Sequence, residues 1–156
     1  MDIREAAAAY ESATQYFLNL ARGVTPELLD VHHENGWSAR QVIHHMADSE
    51  AQSYARLRRL VAEPEGSVIQ GYDEGAWAEC DKLGYKDGPV ENSIAVFAAV
   101  RAGSLDVIKR LEEADLAKSG EHSESGKFTI EKWLVGYTKH PVDHGDQLVR
   151  ATKGQE

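Results

Sequence analysis

The chain has 156 residues, 42% of them hydrophobic and 28% charged, which fits one domain over 1–156 with its own core and excludes wholesale disorder. Lys and Arg number 17 against 26 Asp and Glu, and the net charge of −9 has the wrong sign for wrapping a phosphate backbone. No apolar run approaches the ~18–20 residues of a membrane span, so neither nucleic acid nor membrane is an expected partner.

Hydrophobic spacing predicts four long helices. Ile3, Ala6, Ala7, Tyr10, Ala13, Phe17, Leu18 and Ala21 recur at three or four, the stripe of an amphipathic helix ending near Gly23. Thr25-Pro26-Glu27 supplies a cap, a proline at the first helical position and an acid, enough for one short turn. Ser38 caps a second helix and Gln41 completes a capping box, with Trp37 placed to staple onto Val42 or Met46. That helix runs through Leu57 and Leu60 and stops before Pro64. Residues 63–88 are punctuated by glycine and proline and hold one short helix around Glu74–Cys80; so long a link reads as a crossover. Pro89 opens a third helix with Ile94, Phe97, Ala98, Leu105 and Ile108 on one stripe. Gly120 to Gly126 read as a polar loop, and Thr129 caps a fourth helix through Trp133, Tyr137, His144 and Leu148. No period-2 strand is expected. The fold class is all-α, a four-helix bundle with a long crossover between helices 2 and 3.

Seven histidines are the chemical feature of the chain. With Val42 as origin, His45 falls at about −60°, on the flank of the apolar stripe, whereas His44 falls at about 200° and is expected in solvent. His140 and His144, four apart, share the inward face of the fourth helix with Trp133 and Tyr137. Chance supplies roughly 0.3 such pairs in a chain of this composition, so the pair alone is weak evidence. A third inward imidazole from another helix makes a three-nitrogen set that leaves room for water or substrate on a divalent ion. The competing account makes each a neutral core histidine bonded to a carbonyl, which would demand three separate buried partners. Asp48 could orient His45, although an exposed helical acid is its commoner role, and Gln147 could bond His144 or equally well be solvated. Tyr72, Asp73 and Trp77 could line a pocket mouth or simply pack a lid; His122 is a loop residue or part of the pocket rim. Pro141 removes a donor one residue after His140 and is expected to kink or restart the helix, shifting His140 relative to His144.

The segment Trp37-Ser38-Ala39-Arg40-Gln41-Val42-Ile43-His44-His45-Met46-Ala47-Asp48 resembles the second-helix signature of the DinB/YfiT-like superfamily. Tyr72-Asp73-Glu74-Gly75-Ala76-Trp77-Ala78 is similar to that family's crossover segment, and His140, His144 and Gln147 to its closing HxxxHxxQ helix. His122 sits where many relatives carry a loop histidine, and Asp143 stands where many carry a second histidine. The resemblance implies a four-helix bundle holding one divalent metal ion on His45, His140 and His144, and frequent homodimers. Zinc or nickel is favoured, since softer ions suit a thiolate, and manganese occurs in some members. It further implies a thiol S-transferase that takes a low-molecular-weight thiol and an electrophile. The rivals are a hydrolase using metal-bound hydroxide and a non-catalytic binding or dimerisation module. Cys80, alone, excludes an internal disulfide and suits a reducing cytoplasm, the expected location; Met1-Asp2-Ile3-Arg4-Glu5 does not read as a signal peptide.

Overall fold

The computed structural model describes all residues, 1–156. Four long helices form it: α1 (Ile3–Gly23), α2 (Ala39–Ala62), α4 (Glu91–Ile108) and α5 (Ile130–Thr152), with the short α3 (Glu74–Glu79) in the link after α2. Local chemistry sets their starts. The Asp2 side chain accepts from the amides of Arg4 and Glu5, satisfying donors that the first turn cannot use. Ser38 and Gln41 form the reciprocal capping box that the sequence predicts for α2. Thr129 accepts from the Lys132 amide at the head of α5. A single 3-10 turn, Pro26–Leu28, follows α1.

Around the bundle, α1 packs on α4 and α5, and α2 packs on the same two helices. The helices α1 and α2, adjacent in sequence, therefore lie across a diagonal, and the crossover carries the chain from α2 back along the bundle to α4. No helix is long and apolar enough to cross a membrane.

The core is split. One apolar cluster contains Ala7, Tyr10, Leu57, Leu60, Ile108, Trp133 and Leu134. The other contains Phe17, Leu18, Val42, Ile43, Met46, Phe97 and Leu148. Most of the buried polar residues of α1, α2 and α4 fall between the two: Thr14 on α1, Ser49, Glu50 and Ser53 on α2, Arg101 and Ser104 on α4, with His44 and His45 beside the second cluster on α2. His140 and His144 occupy the same interval on α5, between Tyr137 and Leu148. The bundle thus has a polar waist between two apolar ends.

Contrary to the expectation of no strand, there is a small sheet. β1 (Val68–Ile69) runs parallel to β2 (Ser119–His122), which pairs antiparallel with β3 (Gly126–Thr129). Elements of two to four residues are too short to show a period-2 pattern, so residues 120–126 look like a polar loop in sequence. Gly120 permits the close approach: a Cβ there would lie 2.5 Å from the Ser67 carbonyl oxygen. The sheet ties the crossover to the segment that enters α5.

Candidate metal centre

At the waist, His45 from α2 meets His140 and His144 from α5. One ligand nitrogen from each can be chosen so that all three lie within 4.8 Å of one another. The His45 ring centre is 4.6 Å from that of His144 and 5.7 Å from that of His140, and the two α5 rings are 4.6 Å apart.

The hydrogen bonds of these rings point to coordination. His140 Nδ1 lies 3.1 Å from Glu50 Oε1, and His144 Nδ1 lies 2.7 Å from Gln147 Oε1. Each contact occupies the far nitrogen, fixes the ring and leaves Nε2 with its lone pair free. His45 is 1% exposed, and neither of its nitrogens has a hydrogen-bond partner. A buried imidazole with both nitrogens unsatisfied is costly unless something binds there. Burial, reinforced by the other two rings, lowers the His45 pKa to about 3, and burial beside His140 lowers that of His144 to about 4. At neutral pH both therefore offer uncharged nitrogen. Three converging imidazoles, one of them otherwise orphaned, fit a divalent cation.

His44 supplies the internal contrast and a correction. It does not point to solvent: it is 7% exposed, with Nδ1 2.8 Å from Ser93 Oγ and Nε2 3.2 Å from the Gly88 carbonyl. The helical wheel presumes one buried face, but the crossover residues Tyr85 and Gly88 and the start of α4 cover the opposite face of α2. With both nitrogens used, His44 is the satisfied core histidine and His45 is not.

Pro141 brings a second correction. The helix α5 neither breaks nor restarts there but runs from Ile130 to Thr152 with Pro141 inside it, so His140 stays one turn from His144. Asp48 is also placed otherwise than the sequence reading allowed, because its carboxylate accepts from the Tyr85 hydroxyl at 2.7 Å and leaves His45 unbonded. The carboxylate that orients an imidazole is Glu50, and its partner is His140. Glu50 and Arg101, each 1% exposed, escaped the sequence reading. A signal was available: Glu50 sits at about 80° on the wheel of α2, beside the apolar stripe, and Arg101 lies within the stripe of α4. Opposite charges on two inward faces predict a buried pair.

Beside the three rings opens a cleft of about 530 Å³ lined by Ser49, Arg56, Tyr72, Asp73, Glu74, His122 and Glu124. Glu74 connects cleft and ring set, since its Oε2 is 4.0 Å from His45 Nε2 while its side chain remains 64% exposed. Burial pushes the Tyr72 pKa up to about 12, against the opposing effect of the nearby Ser49 side chain. Trp77 packs on Tyr72 with ring centres 4.6 Å apart, behind the lining rather than in it. His122 lies on β2 against Phe128 and joins the rim, away from the three-ring set. Arg56 is held by the Tyr137 hydroxyl at 2.7 Å and the Gln70 carbonyl at 2.9 Å. Cys80 is exposed and belongs to neither.

A sequence profile of the DinB superfamily matches residues 9–148, a span that includes all three imidazoles. The chain belongs to the DinB superfamily. Within it, a protein of Oceanobacillus iheyensis provisionally named a metal-dependent hydrolase is 33% identical over 135 residues, 86% of this chain and 76% of that one. A Bacillus mycoides protein with the same provisional name is 33% identical over 111 residues, 70% of this chain and 61% of the relative. Among solved structures, YfiT from Bacillus subtilis, described as a probable metal-dependent hydrolase with an unusual four-helix bundle topology, superposes with a TM-score of 0.86. It is 24% identical to this DinB-superfamily chain and covers 99% of it and 89% of its own length, a likeness of fold.

Proposed function

We propose that this DinB-superfamily protein is a metal-dependent enzyme in which His45, His140 and His144 hold one divalent ion, zinc or nickel by preference, and which transfers a small thiol to an electrophilic carbon. The observation that carries it is the pair of adjacent histidines on α2: His44 has partners for both nitrogens and His45 has none. A folded chain that buries an imidazole without partners has reserved it for a ligand. A bound divalent ion would supply the positive charge that holds a thiol as thiolate near neutral pH. Three uncharged donors leave that charge undiminished, and nitrogen donors suit zinc and nickel better than magnesium.

The chain's own residues do the rest. Glu50 and Gln147 hold the two α5 rings in orientation through Nδ1. Trp37, with its ring centre 5.1 Å from that of His45, closes one side and keeps water off that ring. On the cleft side, Glu74 Oε2 stands where it can take the thiol proton as the thiolate forms; sulfur then bonds to the electrophilic carbon and the leaving group departs with its electron pair. Arg56 and His122 line the cleft, where they can meet polar groups of the incoming molecules.

A second reading, hydrolysis, is favoured by the provisional names of the curated relatives. The same Glu74 would then take a proton from water. The test uses tag-free protein, stripped and reloaded with zinc or nickel. Transfer predicts metal-dependent loss of a low-molecular-weight thiol in the presence of an alkylating electrophile, with one thioether formed per thiol consumed. Metal-dependent ester or amide cleavage without thiol selects hydrolysis, and failure to take up any divalent ion overturns both.

A further inference from the structure

Pro141 follows His140 directly in the middle of α5. Having no N–H, it leaves the Tyr137 carbonyl, four residues earlier, without the bond that the helix would otherwise give it. A buried carbonyl needs a donor from elsewhere. Here the donor comes from another helix: the Arg101 Nη1 of α4 reaches the Tyr137 carbonyl oxygen at 2.6 Å. The same nitrogen is 3.1 Å from Glu50 Oε1, the oxygen that also contacts His140 Nδ1. The rest of the guanidinium is anchored on α1. Its Nε donates to Thr14 Oγ1 at 2.8 Å and its Nη2 to the Tyr10 carbonyl at 3.0 Å, and its carbon lies 3.5 Å from the centre of the Tyr10 ring.

Coordination by three imidazoles makes no demand for an arginine, yet a fully buried one touches both the backbone before His140 and the carboxylate behind it. We infer that Arg101 is a positioning residue for His140. It replaces the main-chain hydrogen bond that Pro141 forfeits, and so keeps α5 continuous between the two ligand histidines. Through Glu50 it also holds the His140 ring with Nε2 towards His45 and His144. Both tasks require a planar fork with several fixed donors, which lysine lacks. The inference rests on the three-histidine reading of the site.

The experiment is a mutant cycle of Arg101→Lys and Pro141→Ala, singly and together. Zinc affinity is measured by competition with a chromophoric chelator, and ligand geometry by the visible spectrum of the cobalt-loaded protein. Arg101→Lys should weaken zinc binding by about 10–100-fold, the usual effect of losing a residue that orients a ligand, and should shift the cobalt bands. Pro141→Ala restores an N–H for the Tyr137 carbonyl, so the same lysine substitution should cost clearly less in that background. An Arg101→Lys protein that folds, binds zinc like the natural chain and keeps its cobalt spectrum overturns the inference, as does an equal cost in both backgrounds. Should Arg101→Lys alone fail to fold, the double variant is compared with Pro141→Ala, and equal zinc affinity overturns the role of Glu50. If the natural chain takes up no metal, the ligand reading itself fails. Positioning is then judged on the metal-free protein from the His140 ring-nitrogen chemical shifts, which Arg101→Lys must move.

Discussion

His44 and His45 differ by one position and by everything that surrounds their nitrogens. Substituting His45 or His144 by alanine should abolish stoichiometric zinc uptake, measured by elemental analysis of the dialysed protein. His44→Ala should leave uptake intact and instead lower stability by about 1–3 kcal/mol in urea unfolding, because the Ser93 hydroxyl loses its partner and the Gly88 carbonyl keeps only Arg40. The same residues set a pH dependence in the metal-free protein. The His45 pKa falls from the usual 6.5 to about 3 in the folded chain, so below pH 6.5 the unfolded chain takes up a proton that the folded one refuses. Stability is therefore full above pH 6.5 and declines as pH falls towards 3. Urea midpoints at pH 7.5 and pH 5 should show this decline, and His45→Ala should reduce it; an undiminished slope in the variant would place the effect elsewhere. Sequence alone selected His45, since its wheel position falls beside the stripe. It misjudged His44, because facing angles cannot foresee what a crossover lays over the other side of a helix.

At the scale of elements, the short sheet is the part most dependent on one small residue. Gly120 lies so close to β1 that an alanine Cβ would press on the Ser67 carbonyl oxygen and the Ile69 side chain. Gly120→Ala should therefore cost about 1–3 kcal/mol in urea unfolding, as overpacked sites do, and should loosen the crossover that carries Glu74. Unchanged stability would mean that the strands separate freely. Helix ends behave more simply. Ser38→Ala removes the acceptor for the Gln41 amide and should destabilise the protein by about 1 kcal/mol. The caps were legible because both partners lie within three residues of each other in the chain. The unbroken α5 was not, because the donor that relieves Pro141 comes from Arg101, 36 positions away from the carbonyl it serves.

For the molecule as a whole, two apolar ends hold a polar waist that a cation would complete. On the proposed reading, zinc would bind the folded chain, with its three converging imidazoles, in preference to the unfolded one, so loading should raise stability. The gain should be about 2.7 kcal/mol with free zinc at 100 times its Kd, and a chelator should reverse it. A melting temperature indifferent to zinc would mean that the waist holds no ion. The number and order of the long helices, the caps of α2 and α5, the crossover, and the placing of His45, His140 and His144 on inward faces followed from the sequence by itself, because helical periodicity and capping are local. The burial of His44, the pairing of Asp48 with Tyr85, the bond from Arg101 to the Tyr137 carbonyl and the small sheet were decided only by tertiary structure. Each joins segments distant along the chain, and a buried polar atom's partner is determined by what packs against it rather than by its neighbours in sequence.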